Sequence, residues 1–397
     1  MTEWHKDYEM LALGINRLGG GVLIYRGSVR ADTPSTAGEL AEQADRLLES
    51  APSPYLAAQV RAMRAVARRL DGERLPLAEY ARECLGLEPR WLPESVFEEA
   101  HAELDAALPR TSGSLADRLQ AWQAAHTLQP IERLPDLVAR AVAETRARTG
   151  AIIPLPDEVV ECRLVEGVPF HAAGDYEGGL KSTIHINKAI PFNLADLLYV
   201  VAHEGHPRHI VESLFKEDLR VRFMPSPPFV LSEGLGLLAE EILFPGDEAQ
   251  VWLNRHIFPE FGIRPDGSDF AAIHHAKNVL WGVWGNAAFL ADEGAGDVEL
   301  AGYLMRWALY SEEEAALALG GILSPSPMRP YIFGYFHGWD LLRPWVTGPD
   351  RVRRLLTEQL LPADVAMPAA SQTSGGVKAV SGPCPTAPQT SRAVKRR

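Results

Sequence analysis

A chain of 397 residues, 46% of them apolar, can fill a large core, either as one large domain or as two interlocked lobes. Its net charge of −13, with no basic stripe before the last few residues, argues against a nucleic-acid partner. Residues 1–7 lack a basic-then-apolar leader, no run of about eighteen apolar residues occurs, and Cys84, Cys162 and Cys384 suit neither a disulfide framework nor a thiolate metal site; no membrane partner is expected, and the cytoplasm is the expected compartment.

Residues 1–150 read as a lobe of successive helices. Thr36 followed by Glu39 forms a capping-box pattern ahead of the apolar stripe Leu40, Ala44, Leu47 and Leu48. Further helix starts are expected at Ser95, with Glu98 three residues on, and at Ser114, and a helix over 134–148 stops at Gly150. Pro154 and Pro156 then punctuate a stretch in which 159–165 is β-like and 182–187 alternates as a strand does, so a small sheet interrupts the helices. Asn193 can cap a further helix, and others are expected over 233–243, 271–290, 298–310, 312–319 and 331–345. The fold class is therefore mainly α with a small β-sheet, and 151–362 forms a second lobe. From 363 to 397 the chain is rich in Ala, Ser, Pro and Gly and is expected to be a disordered tail.

The chemistry concentrates in the second lobe. His203 and Glu204 stand at the end of an apolar helical run, and the acid-bearing segment containing Glu233 and Glu240 follows about thirty residues later. A zinc hydrolase needs three protein ligands, an open position for water, and a carboxylate that takes the water's proton. In the familiar helical pattern the second histidine lies four residues after the first, on the same face. Here Pro207 holds that place, and two histidines compete for it. His206 at i+3 lies about 60° around and about 4.5 Å along a regular helix. His209 at i+6 reaches the metal only where Pro207 distorts the turn. Spacing alone leaves both open.

The segment resembles the signature His-Glu-x-x-Pro-Gly-His-His of the bacterial family called domain of unknown function 885 (DUF885), matching at His203, Glu204, Pro207 and His209. The family's Glu-Gly-Trp-Ala-Leu-Tyr-Ala-Glu is similar to the run from Glu233 to Glu240, and its Tyr-x-x-Gly followed by Leu-Arg resembles Tyr335, Gly338, Leu342 and Arg343. The likeness spans roughly residues 180 to 345 in the same order. It implies a zincin-like helical fold similar to that of the carboxypeptidase Taq metallopeptidases, with helices flanking a metal cleft. It further implies His203, His209 and Glu233 as zinc ligands, Glu204 as general base, and Tyr335 near the reacting carbonyl. Arg208 stands where the family has glycine, and Ile210 where it has its final histidine.

Other candidates carry lesser roles. Glu240, seven residues from Glu233, is expected to orient a ligand rather than bind metal, and His206 is a second candidate for such a place. His337 joins Tyr335 as a candidate donor to developing carbonyl charge, and Arg329 and Arg343 as candidate clamps for a substrate carboxylate. If 182–187 is an edge strand beside the metal cleft, it offers backbone groups to an extended peptide. The expectation is a zinc-dependent metallohydrolase, carboxypeptidase-like, acting on a peptide or small amide through metal-activated water, with other divalent ions also acceptable to such ligands. The alternative, motivated by Arg208 and Ile210, is a non-catalytic zinc-binding or peptide-binding protein of the same fold.

Overall fold

The computed structural model describes residues 2–19, 23–30, 34–216, 220–321, 323 and 326–366. The first 152 residues supply helices α1 (Glu3–Arg17), α2 (Ala37–Glu49), α3 (Pro54–Leu70), α4 (Leu77–Leu85), α5 (Glu94–Ala107), α6 (Leu115–Ala125) and α7 (Leu134–Ile152). Caps set several of their starts: Thr36 with Glu39, and Ser114 with Asp117, each close a reciprocal capping box that satisfies otherwise orphaned amides. The start expected at Ser95 lies a residue earlier, at Glu94 after Pro93, and α7 runs past Gly150 to Ile152. Of the expected α2 stripe, Leu40, Ala44 and Leu47 are buried together with Ala41, and Leu48 is half-buried.

Two sheets interrupt the helices. A short strand β1 (Leu23–Tyr25) pairs antiparallel with β5 (Val221–Phe223). The larger sheet has the order β2-β4-β3, with β2 (Val159–Val165) parallel to β4 (Lys181–Asn187) and β3 (Ala172–Gly178) antiparallel to it. Strand 182–187 is thus central, not an edge. Its backbone groups are used on both sides, its burial covers Ser182, Thr183, Ile184, Ile186 and Asn187, and the expected peptide addition along it is withdrawn. The borders are β2 and β3, and on β3 the Gly174 N–H donates to Glu204 and the Tyr176 carbonyl accepts from Arg26.

The helices that follow are α8 (Leu197–Glu204), α9 (His209–Phe215), α10 (Pro227–Leu243), α11 (Glu248–His256), α12 (Phe270–Asp292), α13 (Asp297–Trp307), α14 (Glu312–Gly320), α15 (Phe333–Leu342), α16 (Pro349–Thr357) and α17 (Pro362–Val365). Residues 1–366 cluster into one unit, within which the chain passes from α7, ending at Ile152, to the larger sheet, beginning at Val159. The start of the expected tail is helical in α17, and residues 367–397 lie outside the described residues. Helix α10 is apolar on nearly every face and runs through the core, packed against α8 on one side and α15 on another. It begins at Pro227, well before the expected start at Glu233, which places that acid mid-helix. Among the described residues no helix is long and apolar enough to cross a membrane.

Candidate metal centre

Helix α8 ends at Glu204, Gly205 turns the chain, and α9 begins at His209. The two histidines that meet therefore come from two helices joined by a turn, and not from successive turns of one. His203, Glu204 and His209 offer ligand atoms that all lie within 4.8 Å of one another. Glu233 enters from α10, its Oε2 lying 3.4 Å from His203 Nε2 and its Oε1 3.6 Å from His209 Nε2. Glu204 Oε2 stands 4.0 Å from His209 Nε2, held by the Gly174 N–H at 2.8 Å.

Close packing gives these groups their places. A Cβ on Gly236 would lie 2.6 Å from His203 Nδ1, so the bare backbone of α10 makes room for the imidazole. A Cβ on Gly174 would collide with the Glu204 carbonyl, which is how β3 comes to lie directly against the α8 terminus. From the other flank Tyr331 Oη donates to Glu233 Oε1 at 2.7 Å. Tyr335, one turn later, lies edge-on to the Tyr331 ring with centroids 5.7 Å apart.

Burial and neighbouring charge set the protonation of the centre. Burial raises the Glu233 carboxyl, yet His209, His203 and Arg208 together hold it well below the usual carboxylate range, so it is an anion. Burial, with Arg208 adding to it, keeps His209 well below the usual imidazole value, leaving a neutral ring able to ligate a cation. Burial raises Glu204, opposed by His203 and reinforced by Glu233. Burial, and then the Glu233 charge, keeps both Tyr331 and Tyr335 protonated as donors.

Behind Glu233 lies a buried ionic knot. Arg208 is fully buried, with Nε on the Ser232 carbonyl, Nη1 on Glu212 at 2.8 Å and Nη2 3.7 Å from Glu233. Glu212 also accepts from Arg222 at 2.7 Å, Ser232 at 2.8 Å and Lys216 at 3.1 Å. Such a network stands in a low-dielectric interior only because every charge has partners. At Arg208 φ is −99°, so this turn does not require glycine. Ile210 is buried in the core.

The remaining sequence candidates lie elsewhere. His206 is fully buried, its Nε2 2.8 Å from Glu158, and joins no cluster with His203. His337 Nε2 accepts the Arg90 amide at 3.3 Å, on the side of α15 opposite Tyr335, because residues two apart in a helix point about 200° apart. Arg329 donates to the Leu323 carbonyl and faces Asp292, while Arg343 donates to His275 and lies over Trp339. None of these three reaches the centre. Glu240 bonds His274 Nδ1 at 2.5 Å instead of a cluster residue, and His274 Nε2 meets Asp196 at 2.9 Å. Tyr331, Gly174 and the Arg208 knot are the functional neighbours that sequence reading missed. For Tyr331, the signal was its place one helical turn before Tyr335.

The Glu240–His274–Asp196 bridge ties α10, α12 and the turn before α8 together, and it makes stability depend on pH. Burial alone would lower His274, but Glu240 and Asp196 override it and raise the imidazole from 6.5 to about 9. A raised folded value means that the bridge's stabilisation is complete below about pH 6.5 and is lost as pH rises through about 9, a change on the order of 3 kcal/mol. Denaturant midpoints of the wild type should fall across that window while those of His274→Gln stay nearly level. Equal slopes for the two proteins would remove the bridge from the account.

No family model and no curated protein matches the sequence. Among solved structures, the chain is similar to a predicted lipoprotein from Colwellia psychrerythraea, 14% identical with a TM-score of 0.50, over 83% of this chain and 66% of that one. It is also similar to a predicted lipoprotein of unknown function from Shewanella oneidensis, 11% identical with a TM-score of 0.50, over 83% of this chain and 71% of that one. The chain therefore spans about two thirds of the length of these proteins, and at these identities the likeness concerns the fold alone.

Proposed function

We propose that this chain is a zinc-dependent metallohydrolase, a peptidase of the DUF885 type with a carboxypeptidase Taq-like fold. The observation that carries the reading is the spacing of three donors. Two imidazole Nε2 atoms lie 3.4 and 3.6 Å from the oxygens of one buried carboxylate. Bonds of about 2.0–2.1 Å in tetrahedral geometry put ligand atoms about 3.3–3.5 Å apart, and each imidazole stands near that separation from one of the two carboxylate oxygens, so His203, His209 and Glu233 suit zinc in number and chemistry. Manganese or cobalt suits the same donors.

Bound there, zinc would act as a Lewis acid on a water and on a substrate carbonyl. The protein's own groups supply the rest. Glu204 is held by the Gly174 amide with its carboxylate beside the cluster, where it can take a proton from water and return it to the leaving amine. Tyr335 keeps its proton beside Glu233 and Glu204 and can donate to an oxygen that gains charge. Tyr331 fixes the Glu233 carboxylate in rotation.

Zinc content tests the ligand set directly. The purified chain is expected to hold about one zinc, and Glu233→Ala to weaken binding by more than about a hundredfold, beyond what loss of a supporting hydrogen bond does. Wild-type protein that binds no divalent ion after dialysis against zinc would end this reading. A second reading, a zinc-holding protein without turnover, is favoured by the Arg208 Nη2 that lies 3.7 Å from Glu233, where the family has only glycine. Zinc bound at full occupancy, with no cleavage across a peptide library, would select it.

A further inference from the structure

A row of aromatic rings, buried at its first member and partly exposed beyond it, leads away from the metal centre. It starts at Tyr331, whose hydroxyl bonds Glu233, and passes to Tyr335. Tyr335 stacks on Trp281 with centroids 4.3 Å apart and planes 11° apart. Trp281 meets Trp284 at 5.7 Å, and Trp284 meets Tyr310 edge-on at 5.9 Å. Trp284 Nε1 also donates to Tyr310 Oη at 2.8 Å, so the outer end of the row has its polar edge satisfied and its ring plane fixed.

Trp281 and Trp284 are three residues apart on α12 and share one face of it. Each ring is braced by a neighbour, and Tyr335, Trp281, Trp284 and Tyr310 all keep part of their surface open. The parts of these rings still in water gain when apolar surface covers them, and rigid aromatic surfaces lose little entropy in the process. The row is continuous with the centre, since its second ring belongs to the tyrosine assigned to the reacting carbonyl. A side chain lying on it would therefore be near the centre. The five rings carry no charge and few free polar atoms, which suits an apolar ring better than a charged or amide-bearing side chain.

We infer that Trp281 and Trp284, with Tyr335 and Tyr310, form the specificity subsite of this hydrolase, which takes an aromatic side chain of a peptide next to the scissile bond. This rests on the hydrolase reading above and names its substrate class.

Two probes test it, acetyl-Phe-Phe and acetyl-Ala-Ala, each with a free C-terminal carboxylate. In the zinc-loaded wild type, kcat/KM should favour the Phe probe by at least about tenfold, and Trp281→Leu and Trp284→Leu should each bring that ratio toward parity. Both variants replace partly exposed rings, and their denaturant midpoints report separately on folding. Equilibrium quenching of tryptophan fluorescence in the Glu204→Gln protein gives a readout that does not require turnover. The Phe probe should quench, the Ala probe should not, and adding Trp281→Leu should abolish the difference. If neither probe is cleaved by wild type yet this Trp281-dependent binding persists, the hydrolase reading fails and the aromatic subsite stands. An unchanged preference in both Leu variants, or quenching by an oligosaccharide such as cellotetraose in place of the Phe probe, overturns the subsite.

Discussion

Glu204→Gln is expected to lower kcat on a cleavable peptide about a thousandfold while zinc content and stability stay at wild-type levels. The expectation follows from what the substitution keeps. Glutamine preserves the side-chain length and an oxygen that can still accept the Gly174 amide now bonded at 2.8 Å. Glu204 stands with His203 and His209 but is not one of the three proposed ligands, so the metal should remain. What disappears is the proton acceptor, and positioned acid–base groups contribute about 10²–10⁴ in rate. The half-buried Glu204 and the buried Glu233 share one site, so losing the Glu204 charge removes part of the attraction for a cation and nothing from the ligand set. None of the three proposed ligands changes, so the variant should keep its zinc with at most a modest loss of affinity. Measuring kcat together with zinc stoichiometry separates the possibilities. Undiminished turnover would take Glu204 out of the base role, and joint loss of zinc and turnover would make it a ligand instead.

Much of this centre was legible before any coordinates. His203 and Glu204 closed an apolar helical run, and the segment with Glu233 followed in the order expected for a helix-borne metal site. The helical lobe was legible because Thr36 with Glu39 and the Leu40–Leu47 stripe carry local signals. What failed was non-local. Strand 182–187 alternates as a one-faced strand does, and nothing in its own residues reveals that β2 pairs with it in parallel from the far side. Nearness in sequence groups His337 with Tyr335, although a helix sends residues two apart to opposite sides. The choice between His206 and His209 depended on how far the backbone turns between Gly205 and Arg208, and no spacing rule encodes that. Arg208 looked like a lost glycine because a fully buried arginine makes sense only beside Glu212, Ser232 and Glu233, which come from two other places in the chain.

Gly338→Ala should destabilise the protein by about 2 kcal/mol and weaken zinc binding, even though residue 338 touches no ligand. Helices α10 and α15 cross with backbone against backbone at Gly234 and Gly338. A Cβ on Gly338 would run into the Val230 carbonyl and lie 3.1 Å from the Gly234 nitrogen, and one on Gly234 would lie 2.8 Å from the Trp339 nitrogen. These neighbours are main-chain atoms with no flexible end to swing aside, so the helices must separate. Overpacking of this kind costs about 1–3 kcal/mol and sometimes more, against about 1 kcal/mol gained from alanine's better helix propensity. Separation would also draw Tyr331 away from Glu233, since Tyr331 stands just before α15 and Glu233 is the residue preceding Gly234 in α10. Both glycines belong to the segments on which the family resemblance rests, which gives that resemblance a steric reason. Gly302, on the exposed face of α13 with nothing within 4 Å of its would-be Cβ, supplies the control. The same change there should stabilise by up to about 1 kcal/mol. Opposite signs at 338 and 302, read from denaturant midpoints, would tie the cost to the helix crossing. A Gly338→Ala protein as stable as its parent, with zinc affinity intact, would mean that α10 and α15 can move apart freely and that the close crossing does not position the centre.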